Sequence, residues 1–194
     1  TAYSRLLARW NVPYAPGAGE PCAQAELAGL QCVEQRGSLA QLRLHDRPAL
    51  LLLGDDQGGA HQVVLTALGN DTARLDIGGQ EHTVGIADLA RYWFGDFVLL
   101  WRPIALPVRA LMPGMSGDSV LRLRRSLEQA AGLDPAPAPG DRYDASLVRL
   151  VEDFQRARRL NVDGIAGPQT QIALDAALAP AGTPRLLGGA GGES

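Results

Sequence analysis

From Thr1 to Trp10 the apolar residues Tyr3, Leu6, Leu7 and Trp10 recur at helical spacing, and Pro13, Pro16, Gly17 and Gly19 then break the pattern. A short helix and a loop are expected. Ala23 to Ala28 also reads as helical and stops at Gly29. Gly37-Ser38 precedes Leu39, Leu42 and Leu44, with Ser38 placed to cap a further short helix that Pro48 ends. The period then changes. Ala49 to Leu53 is a continuous apolar run of strand length. Gln62 to Leu68, Ala73 to Ile77 and His82 to Val84 are short segments separated by Gly58-Gly59, Asn70-Asp71 and Gly78-Gly79. This is the pattern of an antiparallel meander. Ile86 to Tyr92 reads as one helix and Phe97 to Trp101 as a last strand before Pro103, so residues 1–103 predict an α+β domain.

Residues 104–110 read as a linker, and from Leu111 the period is helical throughout. Val120, Leu123 and Leu127 form one amphipathic stripe, started by Ser116 or Asp118; Leu147, Val151 and Phe154 form a second, started by Asp144. A third helix opens at Gly167-Pro168, with proline at its first position, and presents Leu174, Ala177 and Leu178. Residues 111–178 therefore predict an all-α three-helix domain. Between the first two helices, Asp134 to Gly140 alternates proline and alanine, which stiffens an exposed loop. The Gly/Pro-rich tail, 179–194, has nothing to bury and is expected to be disordered.

At 194 residues, 46% hydrophobic and 20% charged, the chain suits two small folded domains. A formal net charge of -3 offers no broad attraction to nucleic acid or anionic lipid, because counterion release needs a concentrated basic face. No nucleic-acid partner, metal or cofactor is expected. The longest apolar run, Ala49 to Leu53, is far too short to cross a bilayer, and no charged and apolar leader opens the chain, which starts at Thr1 like a processed or excised piece. Two cysteines occur, Cys22 and Cys32. Seven helical rises from Cys22 advance roughly 10 Å, and three extended residues from Gly29 return roughly the same distance. That permits a disulfide, which implies an oxidising compartment; two unpaired buried thiols are the alternative.

The opening Gly114-Met115-Ser116-Gly117-Asp118-Ser119-Val120, the pair Phe154-Gln155 and the stretch Leu160-Asn161-Val162-Asp163-Gly164-Ile165-Ala166-Gly167-Pro168-Gln169-Thr170 resemble the three-helix peptidoglycan-binding domain of cell-wall hydrolases and envelope proteins. The resemblance implies wall binding, with Phe154, Gln155, Asp163, Gly164, Gly167 and Thr170 as candidate contacts. The residues themselves suggest how. Gly164 and Gly167 allow backbone conformations closed to other residues, so Asp163 to Gly167 turns tightly into the third helix and leaves amide groups exposed to carboxylates or carbonyls of the wall. In the alternative, Asp163 and Thr170 only cap the turn and Phe154 is core. Where the family repeats its Asp-Gly turn, this chain has Gly140-Asp141-Arg142-Tyr143-Asp144. Arg156, Arg158 and Arg159 form a basic cluster that reads either as a solvated helix face or as a contact for anionic polymers.

In the first domain, Arg47-Pro48-Ala49-Leu50-Leu51, His61-Gln62-Val63-Val64-Leu65, Leu75-Asp76 and Tyr92-Trp93-Phe94-Gly95-Asp96-Phe97 resemble the second half of papain-like C39 peptidases. The resemblance puts His61 at the general-base position and Asp76 at the position that orients it; Cys22, after Pro21 at a helix start, is the candidate nucleophile of an alternative cysteine peptidase or amidase. The family's nucleophile lies on a long early helix after a glutamine. Here Gln24 follows Cys22, so the expected state is a degenerate, non-catalytic domain that keeps His61 and Asp76 as a hydrogen-bonded pair. The two resemblances in this order are similar to the periplasmic part of the A-type component of type II secretion. That family implies peptidoglycan as one partner and a B-type protein as another, an indirect role at the outer-membrane secretin, a periplasmic location, and membrane attachment only through an upstream span absent here.

Overall fold

A run with no polar alternation, such as Ala49 to Leu53, belongs in a strand covered on both faces. In the computed structural model, which describes residues 1–134 and 139–188, that run is β2 (Ala49–Gly54), and it lies inside a six-stranded sheet. Two compact units form: Thr1–Trp101 with Ala181–Ser194, and Arg102–Pro180.

The first unit is α+β. It comprises α1 (Ala2–Arg9), α2 (Pro21–Leu27), β1 (Gln31–Arg36), α3 (Leu39–His45), β2, β3 (Ala60–Leu68), β4 (Thr72–Ile77), β5 (Gln80–Gly85), α4 (Ile86–Tyr92) and β6 (Trp93–Trp101). The sheet order is β1-β6-β2-β3-β4-β5 with every neighbour antiparallel. The meander β2 to β5 follows the glycine-rich turns, and β6 returns to fill the place between β2 and β1. Leu50 is the register partner of both Val64 and Val98, so the three share a face; α1 covers them with Leu6, Leu7 and Trp10 in one core. Ser38 caps α3 by accepting from the Gln41 N–H, and the Gln41 side chain returns the bond to the Ser38 N–H.

Two features of the first unit depart furthest from the sequence expectation. Strand β6 begins at Trp93, four residues before Phe97, and carries an irregularity opposite β2 between Leu51 and Leu53. Gly95 makes this possible: its φ is 103° and a Cβ there would meet the Gly37 carbonyl at 2.6 Å. The tail is the second correction. Leu186 is fully buried, the Leu68 N–H donates to its carbonyl at 3.1 Å, and Arg185 pairs with Asp46 at 2.6 Å. Residues 181–188 thus belong to the first unit; 189–194 lie outside the described residues.

The second unit holds α5 (Asp118–Ala130), α6 (Ala145–Ala157) and α7 (Pro168–Leu178) around Leu111, Val120, Leu123, Leu127, Leu147, Val151 and Leu174. Gly167 and Gly117 stand at the N-caps of α7 and α5, and Asp144 caps α6 through the N–H groups of Ser146 and Leu147. Residues 102–110 are part of this unit: the Gln171 side chain donates to the Arg109 carbonyl at 2.8 Å, and Leu111 bridges Ala166. Of the Pro-Ala loop, 135–138 lie outside the described residues.

Candidate functional site

The signature stretch starts where α6 ends. Arg159 takes a left-handed conformation (φ 56°), Leu160 turns inward, and residues 161–167 lead into α7. Gln155, on the last turns of α6 and only 1% exposed, organises this loop. Its Oε1 accepts from the N–H groups of Asp163 and Gly164, both at 3.1 Å. Its two N–H bonds are shared among Asp163 Oδ1 and the Ile165 carbonyl, both at 2.9 Å, and Thr170 Oγ1 at 3.1 Å. Asp163 Oδ1 also accepts from the Ile165 N–H at 2.9 Å, and Asn161 donates to Oδ2 at 3.2 Å. The bond from Ile165, then that from Gln155, holds the Asp163 carboxyl below the ordinary aspartate range.

This network overturns the expectation that the turn leaves its amides open. The N–H groups of Asp163, Gly164 and Ile165 go to side chains, that of Ala166 goes to the Leu111 carbonyl, and that of Gly167 to the Ile165 carbonyl. Buried backbone donors find partners, and here the partners are internal. The first turn of α7 has no side-chain cap, and Pro168 at its first position carries no N–H, which leaves Gln169 and Thr170 as its leading backbone donors. Exposed residues surround it: Asn161, Val162, Asp163, Pro168 and Gln169.

The six predicted contact residues therefore separate. Gln155 and Thr170, the latter 5% exposed, are buried members of the network. Phe154 belongs to the core, with the Arg158 guanidinium 5.5 Å from its ring centroid; Arg156 pairs with Asp153. Gly164 is required: φ is 69°, its carbonyl accepts from the Tyr143 hydroxyl at 2.7 Å, and a Cβ would lie 3.0 Å from Val148. Gly167 is not, since its φ of −72° suits any residue. Asp163 alone among the six is exposed.

Sequence reasoning missed Arg124. On α5, its side chain 8% exposed, it donates to the carbonyls of Gly140 and Arg142, to Ser146 Oγ and to Asp144 Oδ1. It pins the entry of α6 as Gln155 pins that of α7. The Ser146 hydroxyl, the Leu147 N–H and Arg124, in that order, draw the Asp144 carboxyl well below the usual range. The signal was present: Arg124 lies four residues after Val120, inside the apolar stripe.

The peptidase constellation is not assembled. Cys22 is bonded to Cys32 in a disulfide that ties α2 to β1, so its sulfur is not a thiolate. Asp76 is the register partner of Val64, while His61 lies three positions further along β3. They face opposite sides of the sheet, roughly 10 Å apart along the strand. In place of the expected pair, His61 bonds Asp55 at 2.7 Å and Asp76 bonds Arg5 at 2.9 Å.

Residues 116–174 match the family described as "Putative peptidoglycan binding domain". General secretion pathway protein A of Aeromonas hydrophila is 37% identical over 154 residues, which is 79% of this chain and 28% of the relative. The "Putative general secretion pathway protein A" of Escherichia coli (strain K12) is 28% identical over 155 residues, 79% of this chain and 31% of the relative. The chain thus spans less than a third of the length of these relatives. A crystal structure of a periplasmic domain of the EpsAB fusion protein of the Vibrio vulnificus type II secretion system matches with a TM-score of 0.62. It covers 90% of this chain and 76% of that one at 24% identity, a likeness of fold.

Proposed function

This chain is homologous to general secretion pathway protein A, and on that premise we propose that it is the non-catalytic, peptidoglycan-binding periplasmic part of a type II secretion component. The observation that carries the reading is the match of residues 116–174 to the peptidoglycan-binding family, on a three-helix unit built around one hydrophobic core. The Cys22–Cys32 disulfide supports an oxidising compartment such as the periplasm. In the longer protein we place an ATPase and an inner-membrane span ahead of this portion; among the described residues no helix is long and apolar enough to cross a membrane. Binding to the wall then serves secretin assembly, with a B-type protein as the direct partner.

The wall contact falls to the exposed rim of the α6–α7 loop. Asp163 offers a carboxylate held ionised, Val162 an apolar side chain that is 43% exposed, and Gln169 sits on the uncapped first turn of α7. Such a turn accepts carbonyl or carboxylate oxygens, which N-acetyl groups and peptide stems both carry. Gln155 and Thr170 act by keeping the rim in shape.

Co-sedimentation with purified sacculi tests this. Wild-type chain is expected to pellet, and Asp163→Asn with Gln169→Ala to lower the bound fraction several-fold while far-UV circular dichroism shows the helical fold retained. Wild-type chain that stays in the supernatant at all sacculus concentrations overturns the reading; a double variant that binds like wild type moves the contact away from this rim.

A further inference from the structure

Helix α3 ends at Asp46, whose left-handed conformation (φ 48°) turns its carboxylate inward, where the side chain is 5% exposed. Both carboxylate oxygens are engaged by the segment that follows the helical unit. Arg185 Nε reaches Oδ2 at 2.6 Å, and the Leu187 N–H donates to Oδ1 at 2.8 Å. Between them the Leu186 side chain is fully buried, and its carbonyl accepts the N–H of Leu68, the last residue of β3, at 3.1 Å. Arg43 steadies the adjoining turn by donating to the Gly69 carbonyl. Three consecutive residues are thus read by a charge, a site that buries Leu186 and two backbone hydrogen bonds of opposite sense. Peptide segments are recognised by this kind of combination, in which main-chain bonds hold the segment and side-chain sites select it.

We propose that the first domain carries a peptide-recognition socket, built from Asp46 and the Leu68 N–H around the site that buries Leu186, whose ligand class is an Arg-Leu-Leu turn and which the chain's own residues 185–187 fill. The site is separate from the wall-binding rim and does not depend on it. The bound segment keeps one side open: the Arg185 side chain is 51% exposed and Leu187 is 45% exposed. Release of the segment is part of the proposal, and the covalent link ahead of residue 185 favours the closed state by raising the segment's effective concentration.

The test uses the full chain and a fluorescein-labelled peptide with the sequence of residues Gly182 to Gly188. In a chain carrying Arg185→Ala and Leu186→Ala the socket is vacated, and the peptide is expected to bind saturably, about tenfold or more tighter than to wild-type chain. Adding Asp46→Asn to that chain, or replacing the peptide's arginine by alanine, is expected to weaken binding by about tenfold. Equal binding to the wild-type and vacated chains, indifference to Asp46→Asn, or no saturable binding overturns the proposal. Should the vacated chain lose its fold, residue-resolved hydrogen exchange on full-length Asp46→Asn decides instead. The amide of Leu187 is expected to exchange about tenfold faster or more, with Leu65 in the middle of β3 unchanged; unaltered protection at Leu187 is the contrary result.

Discussion

The helical unit and the sheet unit are held by opposite strategies. In the helical unit a buried polar side chain on one helix secures the loop that enters the next: Gln155 reaches 8 to 15 residues along the chain, and Arg124 reaches 16 to 22. In the sheet unit closure comes from far away. Gln31 pairs with Trp101, and Asp46 receives Leu187 from 141 residues on. Near contacts make a module whose pattern survives as a readable motif. Distant ones make a domain whose edges no local pattern announces.

Because Trp10, Trp93 and Trp101 all lie in the sheet unit, tryptophan fluorescence follows that unit, while far-UV helicity weights the other. The sharpest way to separate the two is Gln155→Leu. It strands several buried backbone groups, each costing about 1–3 kcal/mol, so the helical melt is expected to fall by roughly 10 °C or more while tryptophan fluorescence holds. Equal shifts in both probes would break the contrast. Next in size is Cys22→Ala with Cys32→Ala. Opening so short a loop costs about 2–3 kcal/mol, and here the fluorescence melt alone should move in denaturant titrations.

Acid sharpens the comparison further. Burial, and then Arg47, lowers the His45 pKa from 6.5 to about 4. The unfolded chain takes up this proton first, so the sheet unit is expected to be fully stable above about pH 6.5 and to weaken as pH falls to about 4, by roughly 3 kcal/mol. His45→Gln should flatten that slope in fluorescence-detected unfolding; an unchanged slope removes His45 as its cause. The smallest effect belongs to the helical unit. Asp144 is depressed by its hydrogen bonds from Ser146, Leu147 and Arg124, so its contribution persists above the ordinary aspartate pKa of about 4 and fades only below it. Asp144→Asn is expected to remove that late acid limb in helicity and to leave the slope between about pH 6.5 and 4 intact.

Much of this was legible because the local chemistry is strong. Ser38, Asp144 and Gly167-Pro168 mark helix starts where they occur, and the glycine pairs at 58–59 and 78–79 separate strands of the meander. The candidate site was legible as a motif and misread as a mechanism. The motif places Asp163, Gly164 and Thr170 in one stretch, but only the position of Gln155 beneath them reveals that it occupies the loop amides. His61 and Asp76 looked like partners because each fits a position in a pattern, whereas strand parity sends them to opposite faces. The tail escaped for a different reason: one arginine and two adjacent leucines among glycines and prolines make no period, and their meaning depends on a carboxylate at Asp46.

The return of residues 181–188 to the first unit has a mechanical corollary. A tug on the helical unit reaches the sheet by two routes, a covalent one through Arg102 and a second through the docked residues 185–187. Load is divided between these two leashes while Asp46 holds the tail, and undocking leaves the insert dangling from a single end.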